Sequence, residues 1–392
     1  MKKAWSTKRL GDLFVFKNGR AFKKEEWTTK GLPIIRIQNL NSEDAPFNYF
    51  AGEYGQDILV EPGDLLFSWS GTVGSSFGSH LWNGERGVLN QHIFKIGLRE
   101  TIEKRYAFHG LRYITEEIEQ SVSGAVGLVH ITKEKLNEFT LPVPPLPEQQ
   151  RIVGILDEAF DGISTAKANA EKNLHNARAL FESHLQSVFT QRGEGWVERR
   201  LDQVCTFSSG GTPSKSKRSY WSGEIPWVSG RDMKSTQLSD SLLHISRSAV
   251  DESSTRMAPA GTLLILVRGM GLAHGAQIAE LMVPCAFNQD IRAIHPESDL
   301  IPRYLLFALR DRINSSDNVL SSAAHGTLKI DSDELKRVMI PVPSRNHQQK
   351  VVATIDSLSE ETQRLDSIYQ QKLTALDALK KSLLHQAFSG AL

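Results

Sequence analysis

"LPVPPLPEQQRIVGILDEAF" occupies residues 141–160, and "IPVPSRNHQQKVVATIDSLS" occupies residues 340–359. In each, prolines close one segment, a glutamine pair follows, and an apolar run at helical spacing opens the next. The two stretches lie 199 residues apart in a chain of 392. A period of that length makes a tandem duplication the first thing to establish.

The likeness extends outward on both sides. "WSTKRLGDLFVFKNG" from Trp5 returns as "WVERRLDQVCTFSSG" from Trp196. "LPIIRIQNL" at 32–40 returns as "IPWVSGRDM" at 225–233. "PGDLLFSWSG" at 62–71 returns, one residue longer, as "PAGTLLILVRG" at 259–269. "LNQHIFKI" (89–96) matches "FNQDIRAI" (287–294), and "GLVHITKEKL" (127–136) matches "GTLKIDSDEL" (326–335). The order never changes, so the chain is two copies of a globular unit, each followed by a helix.

The globular units, 1–145 and 196–344, carry short β-type runs such as "PIIRI", "DLLFSW" and "TLLILV" between Gly-, Ser- and Asn-rich turns. A helix is expected near "KRYAFHGLRYITEEI" and at its match "IPRYLLFALRDRI". The expected fold class is α+β, each unit built on one strongly bent sheet.

Proline cannot continue a strand but suits the first turn of a helix, so the proline clusters mark where the long helices begin. Pro147 and Glu148 fit that turn, the carboxylate meeting the positive end of the helix dipole. In the second copy Asn346 is the expected cap, with Gln349 as its reciprocal partner. The helical segments are 146–195 and 345–392, each holding about 40 helical residues, roughly 60 Å.

A 4–3 apolar pattern runs along both. In the first it includes Ile152, Leu156, Ile163 and Leu180, with alanines between. In the second it includes Val351, Ile355, Leu358, Leu365, Leu376, Leu379 and Leu383. Small residues facing large ones fit a two-helix seam, so an antiparallel coiled coil with pseudo-twofold symmetry is expected. The alternative is two helices that each pack on their own unit.

Composition fits a globular protein: 40% hydrophobic, 23% charged, net charge +1. The two cysteines, Cys205 and Cys285, make no disulfide framework and suit a reducing cytoplasm. Neither a secretory signal nor a membrane span is expected. Catalytic motifs are poor. "GSSFG" at 74–78 lacks the helix a nucleophile elbow needs. The glycines of "RGMGLAHG" (268–275) are one residue too far apart for a dinucleotide loop. No phosphate-binding loop, zinc spacing or amino-methyltransferase motif is present. What stands out are loops mixing cations with aromatics and glycine, "KNGRAFKKEEW" and "GGTPSKSKRSYW", which suit phosphate contact as well as plain solvation.

Taken together, the tandem halves, "LPVPPLPEQQRIVGILD", "GTPSKSKRSYWSGEIPWVSGRDM", "PGDLLFSWSGTVG", the Asn-Gln-x-Ile blocks and the closing "LLHQAFSGAL" resemble the specificity (S) subunit of type I restriction-modification systems. The resemblance covers essentially the whole chain. It implies two target-recognition domains, each reading one half of a bipartite, asymmetric site in double-stranded DNA. The helices would then set the spacer and dock two methyltransferase (M) subunits, with restriction (R) translocase-nuclease subunits joining them. It also implies no catalytic site here, S-adenosylmethionine, ATP and Mg belonging to the partner subunits. The second helix start departs from the pattern, with "SRNHQQ" in place of the first copy's "PLPEQQ".

Base reading uses Arg or Lys toward guanine and Asn or Gln toward adenine. The expected contacts are loop residues: Lys17, Arg20, Lys23, Lys24, Arg36, Asn39, Ser70 and Thr72 in the first unit, and Lys215, Lys217, Arg218, Tyr220, Arg231, Lys234, Arg268 and His274 in the second. Asn90-Gln91 and Asn288-Gln289 are shared by units whose targets should differ, which favours a shared structural role. Gln149-Gln150 and Gln348-Gln349 are expected to be ordinary first-turn residues. Two rival classes remain: a solo modifying enzyme, which would need a catalytic motif, and a coiled-coil scaffold unconnected with DNA.

Overall fold

The computed structural model describes all residues except 1–4, 43, 73–75, 100–101, 123–127, 192–194, 270–271, 273–274, 315–319 and 323–327. The chain divides into two compact units, 1–172 with 369–392, and 173–368. The division runs through both long helices, so each unit owns one end of each.

Each unit carries two main sheets rather than one bent sheet. In the first unit, Phe14–Asn18, Ile93–Leu98, Leu65–Ser68 and Gly78–Leu81 form an antiparallel sheet in that order. The second unit repeats it with Cys205–Ser209, Ile291–Pro296, Leu263–Leu266 and Ile278–Leu281, adding Gln237–Leu238 at the edge. The other sheet orders Asn48–Phe50, Leu32–Ile35, Gly87–Leu89 and Leu59–Val60, and its copy orders Leu243–Ile245, Ile225–Val228, Cys285–Phe287 and Arg256–Ala258. One parallel pair sits in each, Ile34 beside Val88 and Trp227 beside Ala286. Strands such as "LLFS" and "LLIL" are buried along their whole length, which explains their unbroken apolar sequence. The expected helices are Lys104–Val122 and Pro302–Asn314.

A two-stranded ribbon ties the start of each unit to its proline segment. Ser6–Arg9 pairs with Thr140–Val143, and Val197–Arg200 pairs with Met339–Val342. The chain then turns into a helix of 45 residues in each copy, Leu146–Thr190 and Arg345–Ser389. Asn346 therefore lies inside the first turn and is not its cap. Gln348 anchors that turn instead. It is buried, its Oε1 accepts from the Ile301 N–H at 2.9 Å, and its Nε2 donates to the Pro343 carbonyl at 3.1 Å. Gln149 does the same in the first unit, toward the Glu103 N–H and the Pro144 carbonyl, both at 2.8 Å. The first glutamine of each pair is thus a buried clamp between proline segment, long helix and domain helix.

The long helices pair antiparallel. In the first unit Lys167 reaches Asp377 at 2.8 Å, and in the second Arg178 reaches Asp366 at 2.7 Å. Lys167 and Asp366 hold the same helix position in the two copies, as do Arg178 and Asp377, so one register serves both contacts. The helix ends also enter the globular cores. Ile152, Leu156, Leu384 and Phe388 join the first core, and Phe181, Leu185, Phe189, Val351 and Ile355 join the second. Leu358 packs against the second core and Leu383 against the first, while Ile163 is buried. Leu365 and Leu376 are half-buried.

The expected seam fails at two places: Leu180 is 64% exposed and Leu379 is 47% exposed. A straight helix drifts about 20° per heptad against a strict seven-residue repeat, so after four or five heptads the buried stripe has moved by one residue. Accordingly Phe181 and Leu185 are buried, as is Leu384.

Candidate nucleic-acid interface

In both units the same three backbone pieces meet: the turn after the Leu32–Ile35 or Ile225–Val228 strand, the end of the central strand, and the Asn-Gln turn. The Asn90 N–H donates to the Ile35 carbonyl at 3.0 Å, and the Asn288 N–H to Val228 at 3.0 Å. The Trp69 N–H donates to the His92 carbonyl at 3.2 Å, and its own carbonyl accepts from Ile131 at 3.1 Å. Val267 repeats this with Asp290 at 2.8 Å and Ile330 at 2.9 Å. Glycine is required beside the Asn-Gln turns: a Cβ on Gly19 would sit 2.1 Å from the Asn90 carbonyl oxygen, and one on Gly210 2.3 Å from that of Asn288. The Asn288 side chain is buried, its Oδ1 accepting from the Asp290 N–H at 3.1 Å. The shared asparagine is therefore a scaffold residue, as its presence in both copies suggests.

The side chains this scaffold presents differ. The first unit shows Trp69 with the His130 ring centroid at 4.5 Å and the His92 centroid at 5.4 Å, beside exposed Gln91. Ser70 is paired with His130 across the Ser70–Thr72 and Leu128–His130 strands. Burial, and then the neighbouring His130, hold the pKa of His92 below the usual histidine range. The second unit shows Arg268 bridged to Lys329, and Arg268 lies 4.0 Å from Asp290. Arg231, Arg268, Asn288 and Asp290 line a depression of about 270 Å³. One face is aromatic and imidazole-rich. The other is cationic.

Several expected contacts are engaged elsewhere. Arg20 pairs with Glu26, its guanidinium carbon 5.0 Å from the Phe22 ring centroid and 4.9 Å from that of Phe50. Lys17 pairs with Asp57. Arg36 stacks on Trp27 at 5.6 Å. Asn39 is a buried turn residue, accepting from the Arg36 N–H at 3.1 Å and donating to the Ala45 carbonyl at 3.1 Å; its counterpart Asp232 accepts from Ser229. Asn39 cannot reach a base without unmaking that turn. Tyr220 is also buried, its hydroxyl donating to Glu252 at 2.9 Å, while Lys217 binds the same carboxylate at 2.7 Å. Lys23, Lys24, Lys215, Arg218, Arg231, Lys234 and Arg268 are exposed. Thr72 lies in a described strand, whereas His274 falls outside the described residues.

Trp69, His92, His130, Gln289, Asp290 and Lys329 were not among the expected contacts. The signal was in the aligned blocks. Where "SWSG" faces "LVRG" only the glycine is shared, and where "NQHI" faces "NQDI" only the third letter changes.

The family model for the type I restriction modification DNA specificity domain matches residues 2–174 and 193–374. The chain belongs to that family. The domain is therefore present twice. Among curated members, the Escherichia coli type I restriction enzyme EcoR124I/EcoR124II specificity subunit is 30% identical over 64% of this chain, and the match spans 62% of that relative's length. The Escherichia coli EcoBI specificity subunit is 24% identical over 96% of this chain and 83% of its own. Two solved structures share the fold. One, from work on complex assembly and conformational transition of the type I system, has a TM-score of 0.80 at 20% identity over 100% of this chain and 99% of that one. The other, the HsdS subunit from Thermoanaerobacter tengcongensis, has a TM-score of 0.56 at 19% identity over 100% and 98%. Among the described residues no helix is long and apolar enough to cross a membrane.

Proposed function

We propose that this chain is the DNA-reading specificity subunit of a type I restriction-modification complex. Each unit reads one half of a bipartite, asymmetric site in duplex DNA. The observation that carries this reading is one backbone scaffold presenting Trp69, His92 and His130 in one copy and Arg268, Asp290 and Lys329 in the other. Two readers built alike but faced differently suit two different half-sites. The second face has arginines, which suit guanine edges, and the first has flat rings, which suit apolar contact with base edges such as the thymine methyl. Exposed lysines around each face supply phosphate contact, which positions without specifying.

The 45-residue helices are about 67 Å long at 1.5 Å per residue. In this reading they fix the number of unread base pairs and carry the surfaces on which methyltransferase subunits dock. Methyl transfer, translocation and cleavage, with S-adenosylmethionine, ATP and Mg, belong to those partners and to the restriction subunits.

Domain exchange tests the reading. Replacing residues 1–145 by the matching part of another family member should change one half of the methylated or bound sequence and leave the other half intact. A change in both halves would refute modular reading.

A further inference from the structure

The first unit holds a groove of about 1180 Å³ between the Gly78–Leu81 strand, the domain helix Lys104–Val122, the middle of the first long helix at Lys167 and the last turns of the second. Most of the charges around it are mutually satisfied. Lys167 pairs with Asp377, Lys381 with Glu116, and Arg105 with Asp157. Two cations are left over. Arg112 lies over the Phe108 ring at 5.4 Å and Lys380 over the Phe160 ring at 5.2 Å, and no carboxylate forms an ion pair with either among the described residues. His80 lines the same groove with a buried Nε2 that has no hydrogen-bond partner among the described residues.

The second unit shows how the same fold looks when this position is neutralised. Arg310 is the counterpart of Arg112. It pairs with Glu182 and lies over the Phe181 ring at 5.5 Å. On the long helices, Phe181 and Glu182 correspond to Lys380 and Lys381, both helices being 45 residues long and in step. The first unit has thus put two lysines where the second has an aromatic and an acid. Burial lowers the pKa of Arg112; burial, then repulsion from Arg112 and Lys167, lowers that of Lys380 although Asp377, itself paired with Lys167, attracts it. Leaving two desolvated cations side by side without an anion is costly, and a bound anion removes the cost.

The geometry points to an oxyanion site in this groove, in which Arg112 and Lys380 hold the phosphate of a small phosphate-bearing molecule. Guanidinium and ammonium give charge-assisted hydrogen bonds to phosphate oxygens, and the volume is of ligand size. Among the described residues, the second unit does not repeat this pair of cations.

The test is a calorimetric titration of the full chain with inorganic phosphate against a chloride control of equal ionic strength. One phosphate per chain should bind to the wild type. Lys380→Phe combined with Lys381→Glu rebuilds the second unit's arrangement, so it should fold, as circular dichroism would verify, and should weaken binding more than about tenfold. Arg112→Gln should do likewise, and Arg310→Gln should leave the affinity unchanged. Phosphate heats equal to chloride, or equal binding by the double variant, would overturn the site. Saturating duplex DNA should not displace phosphate; if it did, the groove would belong to the DNA backbone and the small-molecule assignment would fall.

Discussion

At one place in the fold the two units can be laid side by side residue by residue. Trp69 stands where Val267 stands, Ser70 where Arg268 stands, His92 where Asp290 stands, and His130 where Lys329 stands. The backbone hydrogen bonds around them match within a few tenths of an ångström. The residues beneath match as well: Gln149 and Gln348 are both buried clamps, and Tyr106 and Tyr304 each donate a hydroxyl to a proline carbonyl, Pro142 at 2.8 Å and Pro341 at 2.6 Å. The comparison separates two kinds of selection on one duplicated chain. The buried clamps that both copies keep hold the unit together, the exposed Gln91 and Gln289 being kept as well, and the side chains around Trp69 and Arg268 are what differ. The groove at Arg112 and Lys380 obeys the same logic in another part of the fold.

If the separation is real, scaffold substitutions should cost alike in both units. Gln149→Ala and Gln348→Ala each strand a buried N–H and a buried carbonyl, so each should destabilise its unit by about 2–4 kcal/mol. Hydrogen exchange resolved by unit would check this, since two units need not unfold together. A large loss in one and none in the other would break the symmetry argument.

Acid should act mainly on the first unit. Burial lowers the pKa of His80 from 6.5 to about 4. Burial also lowers those of His92 and His109 in the same unit, against His295 alone among the described histidines of the second. A depressed folded-state pKa means the unfolded chain takes up the proton first. The stability is therefore fully present above about pH 6.5 and is lost as pH falls toward 4. For His80 alone the loss should be about 2–3 kcal/mol. The register places Ala279 at the corresponding position of the second unit. Exchange protection of first-unit amides should fall more than that of second-unit amides between pH 7 and 4.5, and His80→Ala should shrink the difference. Equal losses in both units would contradict the assignment.

Substitutions at the presented positions should leave stability nearly unchanged and act on one half-site each. Arg268→Ala should cost about 1–3 kcal/mol of binding and relax discrimination in one half. Trp69→Ala should cost a similar amount in the other half, if its ring stacks or packs on bases. Binding to a panel of single-base site variants would measure both. Relaxation of both halves by either substitution would dissolve the distinction.

Much of the fold was legible in the sequence, because a duplication doubles every signal. The prolines at 141–147 and 341–343 mark the helix starts, since proline fits nowhere else at that junction. The seam was legible in its first half, from Ile152 to Ile163, and lost phase by Leu180, because periodicity alone does not say how far a helix supercoils. The proposed reading face was less legible. Cations in loops attract attention, but Arg20, Lys17 and Lys217 turn out to be paired locally and Asn39 is folded inward, since a loop needs its own polar contacts before it can offer any. Trp69 lies between two strands and His130 at the end of one, where single-copy reasoning assigns them to packing. Only the contrast with Val267 and Lys329 marks them as presented.

The central claim is that two alike scaffolds read two unlike sequences. Its most direct test is to assemble the chain with the methyltransferase subunit proposed as its partner and select binders from random duplex DNA. The account predicts two short, different motifs at one fixed spacing. A single contiguous motif, or the same motif twice, would contradict it.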